Sequence, residues 1–114
     1  MQGYAAYAKT ARTTETPRSV EHRLLGEVTA DLMAADRSPG NRRKLLDAVL
    51  RNKKMWDTFL IELSDAANQL PKETRAGLLS IGIFVNRETA RVLENQTDPK
   101  VLIEINQTIM QGLR

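Results

Sequence analysis

The 114-residue sequence contains no cysteine and a single histidine. The absence of cysteine excludes disulfides, thiolate nucleophiles and every metal site that uses sulfur ligands. His22 would be the one imidazole for a zinc site or a catalytic triad, yet neither a zinc-ligand spacing nor a G-x-S-x-G motif is present. Helical phase places His22 opposite the apolar stripe of its helix, which predicts a solvated surface histidine. We therefore expect no catalytic residue, no metal site and no cofactor, in a protein that is not an enzyme.

Aromatic residues and long hydrophobic runs are also scarce. Aromatic residues make up 4% of the chain, against 41% for all hydrophobic residues, so Leu, Ile, Val and Ala must form most of the core. This composition favours interlocking helices over a β-sandwich. No run approaches the roughly 20 apolar residues of a membrane span, and the N-terminus lacks the apolar region of a signal peptide. We expect a cytoplasmic protein with no membrane partner.

The net charge of +3 arises in one short segment. Residues 42–54 contain six basic residues and one acid, Asp47, whereas acids slightly outnumber bases in the rest of the chain. The predicted basic surface consists of Arg42, Arg43, Lys44, Arg51 and Lys54. Because no aromatic or glycine residues alternate with these charges, direct nucleic-acid binding is not expected. The preferred interpretation is a solvated face or a docking surface for an acidic protein.

The spacing of apolar residues and the position of prolines predict a single all-α domain over residues 1–114. Its fold is a compact bundle of four main helices plus a short, mobile or conditionally docked helix within residues 1–14, which is too short to be stable alone. A proline or a capping residue marks the start of each main helix, at Thr16-Pro17, Asn41, Leu70-Pro71 and Asp98-Pro99. The predicted main helices cover residues 17–35, 41–68, 72–94 and 99–113.

Three polar or aromatic residues lie in the apolar stripes of these helices. Glu21 is placed where an unpaired carboxylate would be costly to bury, so we expect it to pair with Arg18 or with another arginine near the helix start. Trp56 lies on the core stripe of the second main helix. Asn106 is in the middle of the last stripe, and a buried amide there must find hydrogen-bond partners that fix the packing register.

The helix predicted over residues 72–94 is apolar around most of its circumference. One stripe contains Leu78, Ile81, Gly82, Val85 and Val92, and a second contains Ala76, Leu79, Ile83 and Ala90. Such a helix is either central or covered by a partner on one side. Phe84 projects among polar residues, namely Ser80, Arg87, Glu88 and Arg91. It either covers the end of a neighbouring helix or is an exposed anchor for a partner.

An ordered set of short patterns covers nearly the whole chain. These are Tyr4 to Ala8, Pro17-Arg18, Glu21 with Arg23, Leu24 and Leu25, Trp56 with Leu60, Leu70-Pro71, Arg75-Ala76, Ser80-Ile81-Gly82, Leu102-Ile103, Ile105-Asn106 and Gly112-Leu113. With this set the chain resembles the FlaF family of bacterial flagellar biosynthesis proteins. The resemblance implies a cytoplasmic factor needed for flagellin production or export, which acts close to flagellin and to the companion regulator FlbT. It implies no catalytic residue and no cofactor.

Two functions follow as hypotheses from this resemblance. The first is an export chaperone or adaptor that binds the amphipathic, assembly-prone ends of flagellin in an apolar groove. The candidate partner-binding residues are Tyr4, Tyr7, Glu21, Trp56, Leu79, Ile83 and Phe84. The alternative is a post-transcriptional regulator that contacts flagellin mRNA through the basic surface, directly or with FlbT.

Overall fold

The computed structural model describes residues 17–112, and the side chains of residues 21–112. Four α-helices follow one another: α1 (Pro17–Asp36), α2 (Arg42–Ser64), α3 (Lys72–Leu93) and α4 (Lys100–Gly112). This part of the chain contains no β-strand. The predicted all-α fold with four main helices is confirmed. The short helix predicted within residues 1–14 lies outside the described residues, and a single domain over 1–114 stays a prediction.

Local capping interactions lie at three helix ends, close to where the sequence places those ends. The Asn41 side chain accepts a hydrogen bond from the backbone N–H of Lys44 at 3.0 Å, and thus caps the start of α2. Asp98 accepts from the backbone N–H of Lys100 at 3.0 Å at the start of α4. After α3, Asn95 adopts a left-handed conformation with φ of 63°, and the N–H of Gln96 returns to the carbonyl of Arg91 at 2.8 Å. This arrangement is a Schellman cap, in which asparagine replaces the usual glycine.

The end of α2 differs from the prediction. The apolar periodicity predicts that the helix continues to Asn68, but it ends at Ser64. The backbone of Asp65 is extended, and its side chain accepts a hydrogen bond from the N–H of Ala67 at 2.8 Å. The Asn68 side chain donates to the carbonyl of Glu62 at 3.0 Å. These two bonds give the backbone an alternative to another helical turn, so Ala67 lies exposed in a loop rather than in the core.

The helices surround one core as two antiparallel pairs. The start of α2 meets the end of α3, where the guanidinium of Arg42 donates to the carbonyl of Leu93 at 2.7 Å. The start of α4 meets the end of α1 through the ion pair of Lys100 with Asp36 at 3.2 Å. α1 packs on α2 and α4, and α3 packs on α2 and, over fewer residues, on α4. The core consists of Leu25, Val28, Leu32, Ala35, Ala48, Val49, Met55, Trp56, Val85, Val92, Leu102 and Ile103.

α2 and α3 approach each other closely at one glycine. A Cβ atom added at Gly82 would lie 2.9 Å from Cγ of Leu60, which is inside van der Waals contact. The Leu60 side chain therefore fills the space that a larger residue at position 82 would need. This contact fixes which sides of α2 and α3 face each other.

Candidate functional site

A buried chain of hydrogen bonds joins α2 to α4. The indole N–H of Trp56 donates to Oδ1 of Asn106 at 2.9 Å, and the amide of Asn106 donates to Oδ1 of Asn52 at 2.8 Å. All three side chains are buried. The predicted burial of Asn106 with hydrogen-bond partners is confirmed. Trp56, named as a candidate partner contact, is a core residue and does not reach the surface.

Asn52 is a residue that the sequence reasoning missed. Its spacing of three residues from Val49 and four from Trp56 places it on the buried side of α2, so helical spacing in the sequence could have predicted that Asn52 is buried. Its Nδ2 has no hydrogen-bond partner among the described residues. The polar chain thus ends at an unpaired donor in the core.

Glu88 was expected on the polar side of α3, and this expectation is wrong. Its side chain is 3% exposed, because its spacing of three residues from Val85 and four from Val92 puts it on the buried side. One carboxylate oxygen accepts from Arg91 at 3.0 Å, and Oε2 has no partner within the described part of the chain. The helical spacing of Glu88 therefore places its side chain on the buried side of α3, although the side chain is charged.

The start of α1 also departs from one expectation. His22 is half-buried, and its Nε2 is buried without a hydrogen-bond partner among residues 21–112, so it is not a solvated surface histidine. Glu21 is half-buried. Arg18, one of the arginines predicted to pair with Glu21, lies outside the described side chains, as do Tyr4 and Tyr7. The described residues contain no group of three or more His, Asp or Glu side chains arranged to hold a metal ion.

The predicted basic surface is exposed throughout, but two of its five members are engaged within the protein. Arg51 forms ion pairs with Glu27 at 3.2 Å and with Asp31, both on α1, and Arg42 is bound to the end of α3. The side chains of the other three, Arg43, Lys44 and Lys54, form no polar contact with the rest of the described chain. The free positive charge is therefore smaller than the sequence suggests.

One long side of the α2 and α3 pair is left uncovered by the other two helices. Leu60 meets Gly82 between the two helices. Along an α-helix, each residue is rotated by about 100° about the helix axis relative to the residue before it. Because the helices are antiparallel, Ile61 and Ile83 both turn to the same side. Phe59 and Ile81, the preceding residues, turn the opposite way and pack against the core.

We call this uncovered side the outer face and define it by two stripes. The α2 stripe contains Arg43, Asp47, Leu50, Lys54, Asp57 and Ile61, and the α3 stripe contains Lys72, Ala76, Leu79, Ile83, Asn86 and Ala90. Both stripes alternate steps of three and four residues, so their members stay on one side of each helix.

Large apolar side chains on the outer face are exposed. Leu50 is 50% exposed, Ile61 72% and Ile83 54%, while Leu79 is half-buried. A shallow depression lined by Leu60, Ile61, Ser64 and Asp65 lies at one end. The second apolar stripe predicted for α3 is therefore a surface stripe, as expected of a helix that has an uncovered side.

Phe84 is 45% exposed, which agrees with its predicted polar surroundings. It is turned by about 100° from Ile83, towards the edge of α3 that faces away from α2. The structure therefore brings Leu79 and Ile83 onto one face, together with Leu50 and Ile61, and leaves Phe84 beside it. Sequence reasoning missed Leu50 and Ile61, because nothing in one helix reveals which side its neighbour leaves open.

None of the helices in residues 17–112 is long and apolar enough to cross a membrane. Among known proteins, no curated protein and no solved structure matches the chain. The model of one family, described as flagellar protein FlaF, matches residues 4–113. This match covers nearly the whole chain, contains all four helices, and confirms the resemblance seen in the sequence. The chain therefore belongs to the FlaF family of flagellar proteins.

Proposed function

We propose that this protein binds flagellin as an export chaperone or adaptor and thereby promotes flagellin production or secretion. Membership of a flagellar family supports a flagellar partner. The observation that carries the proposal is the outer face, where Leu50, Ile61 and Ile83 are each at least half exposed on one side of two packed helices.

Single exposed apolar residues are normal on protein surfaces, whereas several of them on one face of two packed helices are typical of an interaction site. A shallow face between two parallel or antiparallel helices suits a third helix, which lays its apolar side along it. Before assembly, flagellin must keep its amphipathic helical ends from pairing with other subunits. Covering one such end on the outer face would delay that pairing until export.

The alternative is a post-transcriptional regulator that contacts flagellin mRNA through the basic surface or acts with FlbT. It has less support, because Arg51 and Arg42 are engaged by α1 and by the end of α3. The three remaining cations do not lie on one side, since Lys44 is turned by about 100° from Arg43. Phosphate binding gains from several converging cations, which this surface does not offer.

Calorimetry of the purified protein with monomeric flagellin tests the proposal. We expect saturable binding, and we expect flagellin polymerisation, followed by light scattering, to slow in proportion to the bound fraction. No detectable heat and unchanged polymerisation would contradict it. A gel-shift with the flagellin mRNA leader, repeated across salt concentrations, tests the alternative, because phosphate contacts weaken steeply as salt rises.

A further inference from the structure

We propose that the occupant of the outer face is an amphipathic helix of flagellin whose apolar stripe is bordered by carboxylates. This inference rests on the proposed flagellin binding and adds to it the charge of the bound helix and the residues of the outer face that recognise that charge.

The dimensions of the outer face fit a helix of about four turns. Leu50 and Ile61 are eleven residues apart, which corresponds to about 16 Å along α2, and Ala76 and Ala90 span about 21 Å along α3. The three-and-four spacing of both stripes is that of helices that pack lengthwise on another helix. Ala76 and Ala90 are exposed and small, so a third backbone can approach α3 at both ends of the stripe.

The unpaired charges of the outer face are mainly positive. Arg43, Lys54 and Lys72 belong to it, and Arg87, one turn after Ile83, borders it. None of these four side chains has a polar partner within residues 21–112, and all four are exposed.

The outer face has two acids in its stripes. Asp57 is paired with Lys53 at 2.7 Å, so Asp47 is the one acid of the stripes without a described ion-pair partner. A partner with carboxylates beside its apolar stripe would complement this excess.

The same charges disfavour two other occupants. A second copy of the protein, docked through its own outer face, would bring these cations against each other, and like charges across an interface are repulsive. The chain's own first 16 residues contain Lys9 and Arg12 but a single acid, Glu15, so their charge has the same sign as the face. An acidic helix from another protein is the complementary partner.

The apolar part of the inference is tested by calorimetry of flagellin with the double variant Ile61→Ala, Ile83→Ala. We expect binding to weaken by roughly 10- to 100-fold, because two side chains lose their buried contacts. Leu70→Ala is the matched control, since Leu70 is exposed and apolar but belongs to neither stripe of the outer face. We expect this control to bind as the wild type does, and circular dichroism verifies that every variant folds.

The charged part is tested by reversing single cations at the start of α2. Arg43→Glu lies on the outer face, whereas Lys44→Glu, its neighbour, adds the same charge to the same helical turn but lies off the face. At about 0.05 M NaCl we expect a several-fold loss of affinity for Arg43→Glu and none for Lys44→Glu. At about 0.5 M NaCl we expect the difference between the two variants to disappear, because salt screens exposed charges.

Each outcome decides something. Wild-type affinity in the Ile61 and Ile83 double variant, or an equal loss in Leu70→Ala, would overturn the docking surface while flagellin binding itself stands. Equal effects of Arg43→Glu and Lys44→Glu would overturn the acidic border of the bound helix. Wild-type protein that does not bind flagellin at all would overturn this inference and the proposed function together.

Discussion

The indole N–H of Trp56 donates to Oδ1 of Asn106 at 2.9 Å, and this bond links the middle of α2 to α4 across the core. Both side chains are at most 1% exposed, so neither can exchange the bond for one with water. Asn106 in turn donates to Asn52, and a single amide thereby orders two side chains of α2. This amide is therefore the polar link between α2 and α4 in the core.

Asn106→Ala is expected to lower the free energy of unfolding by roughly 2 to 4 kcal/mol. The substitution leaves the Trp56 N–H and the Asn52 carbonyl buried without partners, and each loss has a desolvation cost. Urea unfolding followed by Trp56 fluorescence measures the change. Gln107→Ala, at an exposed neighbouring position, is the control and should unfold at nearly the wild-type urea concentration. A midpoint for Asn106→Ala equal to that of the control would show that the chain of amides contributes no stability.

Gly82→Ala is expected to destabilise the protein by about 1 to 3 kcal/mol, because the new methyl group overlaps Leu60. In Gly77→Ala, in the same helix, the added Cβ meets no atom within 4 Å outside its own helical backbone and adjacent residues, so the variant should be neutral or stabilised by up to about 1 kcal/mol. A double-mutant cycle tests the cause, since Leu60→Ala should remove the penalty of Gly82→Ala. Additive effects of the two substitutions would contradict a steric origin.

The helix ends and the burial of Asn106 illustrate which features of the structure can be predicted from the sequence. The starts of α2 and α4 depend on residues within one helical turn, such as Asn41 and Asp98, so the local sequence is sufficient to predict them. The burial of Asn106 followed from helical phase alone. The end of α2 was missed because side-chain bonds of Asp65 and Asn68 compete with the helix, which a count of apolar positions does not include. The outer face was missed because it depends on which sides of α2 and α3 meet, a property of the tertiary structure.

Arg91→Ala is expected to lower stability by about 1 to 3 kcal/mol, since it leaves the buried Glu88 carboxylate without the one hydrogen-bond donor that it has among the described residues. Arg87→Ala is the matched control in the same helix, because Arg87 is exposed and its side chain has no polar partner among the described residues. Thermal unfolding of both variants measures the difference. Adding Glu88→Gln to Arg91→Ala removes the buried charge and should therefore restore part of the lost stability. If stability does not recover, the buried charge is not the cause of the loss.

Stability should fall at alkaline pH through Lys100. Its side-chain hydrogen bond to Asp36, with the charges of Asp36 and Asp98, raises the pKa of Lys100 above the usual lysine value. A raised pKa in the folded state stabilises the fold at pH values below the unfolded-state pKa, and the effect disappears as pH rises through the folded-state pKa. Thermal unfolding at about pH 9 and about pH 11.5 should therefore show a larger decrease for the wild type than for Lys100→Met. Equal decreases would contradict this assignment.

Arg51 and Lys54 should have opposite phenotypes although both are exposed basic residues of α2. Arg51 is bound to Glu27 and Asp31 on α1, so Arg51→Ala should lower the free energy of unfolding by about 0.5 to 1 kcal/mol and leave flagellin affinity unchanged. Lys54 has no partner in the described chain and lies on the outer face, so Lys54→Ala should weaken flagellin binding at low salt without changing stability. Urea unfolding and calorimetry on both variants separate the two effects. If Arg51→Ala weakened binding as much as Lys54→Ala, the whole basic surface would contact the partner, and the division of its charges between fold and outer face would be wrong.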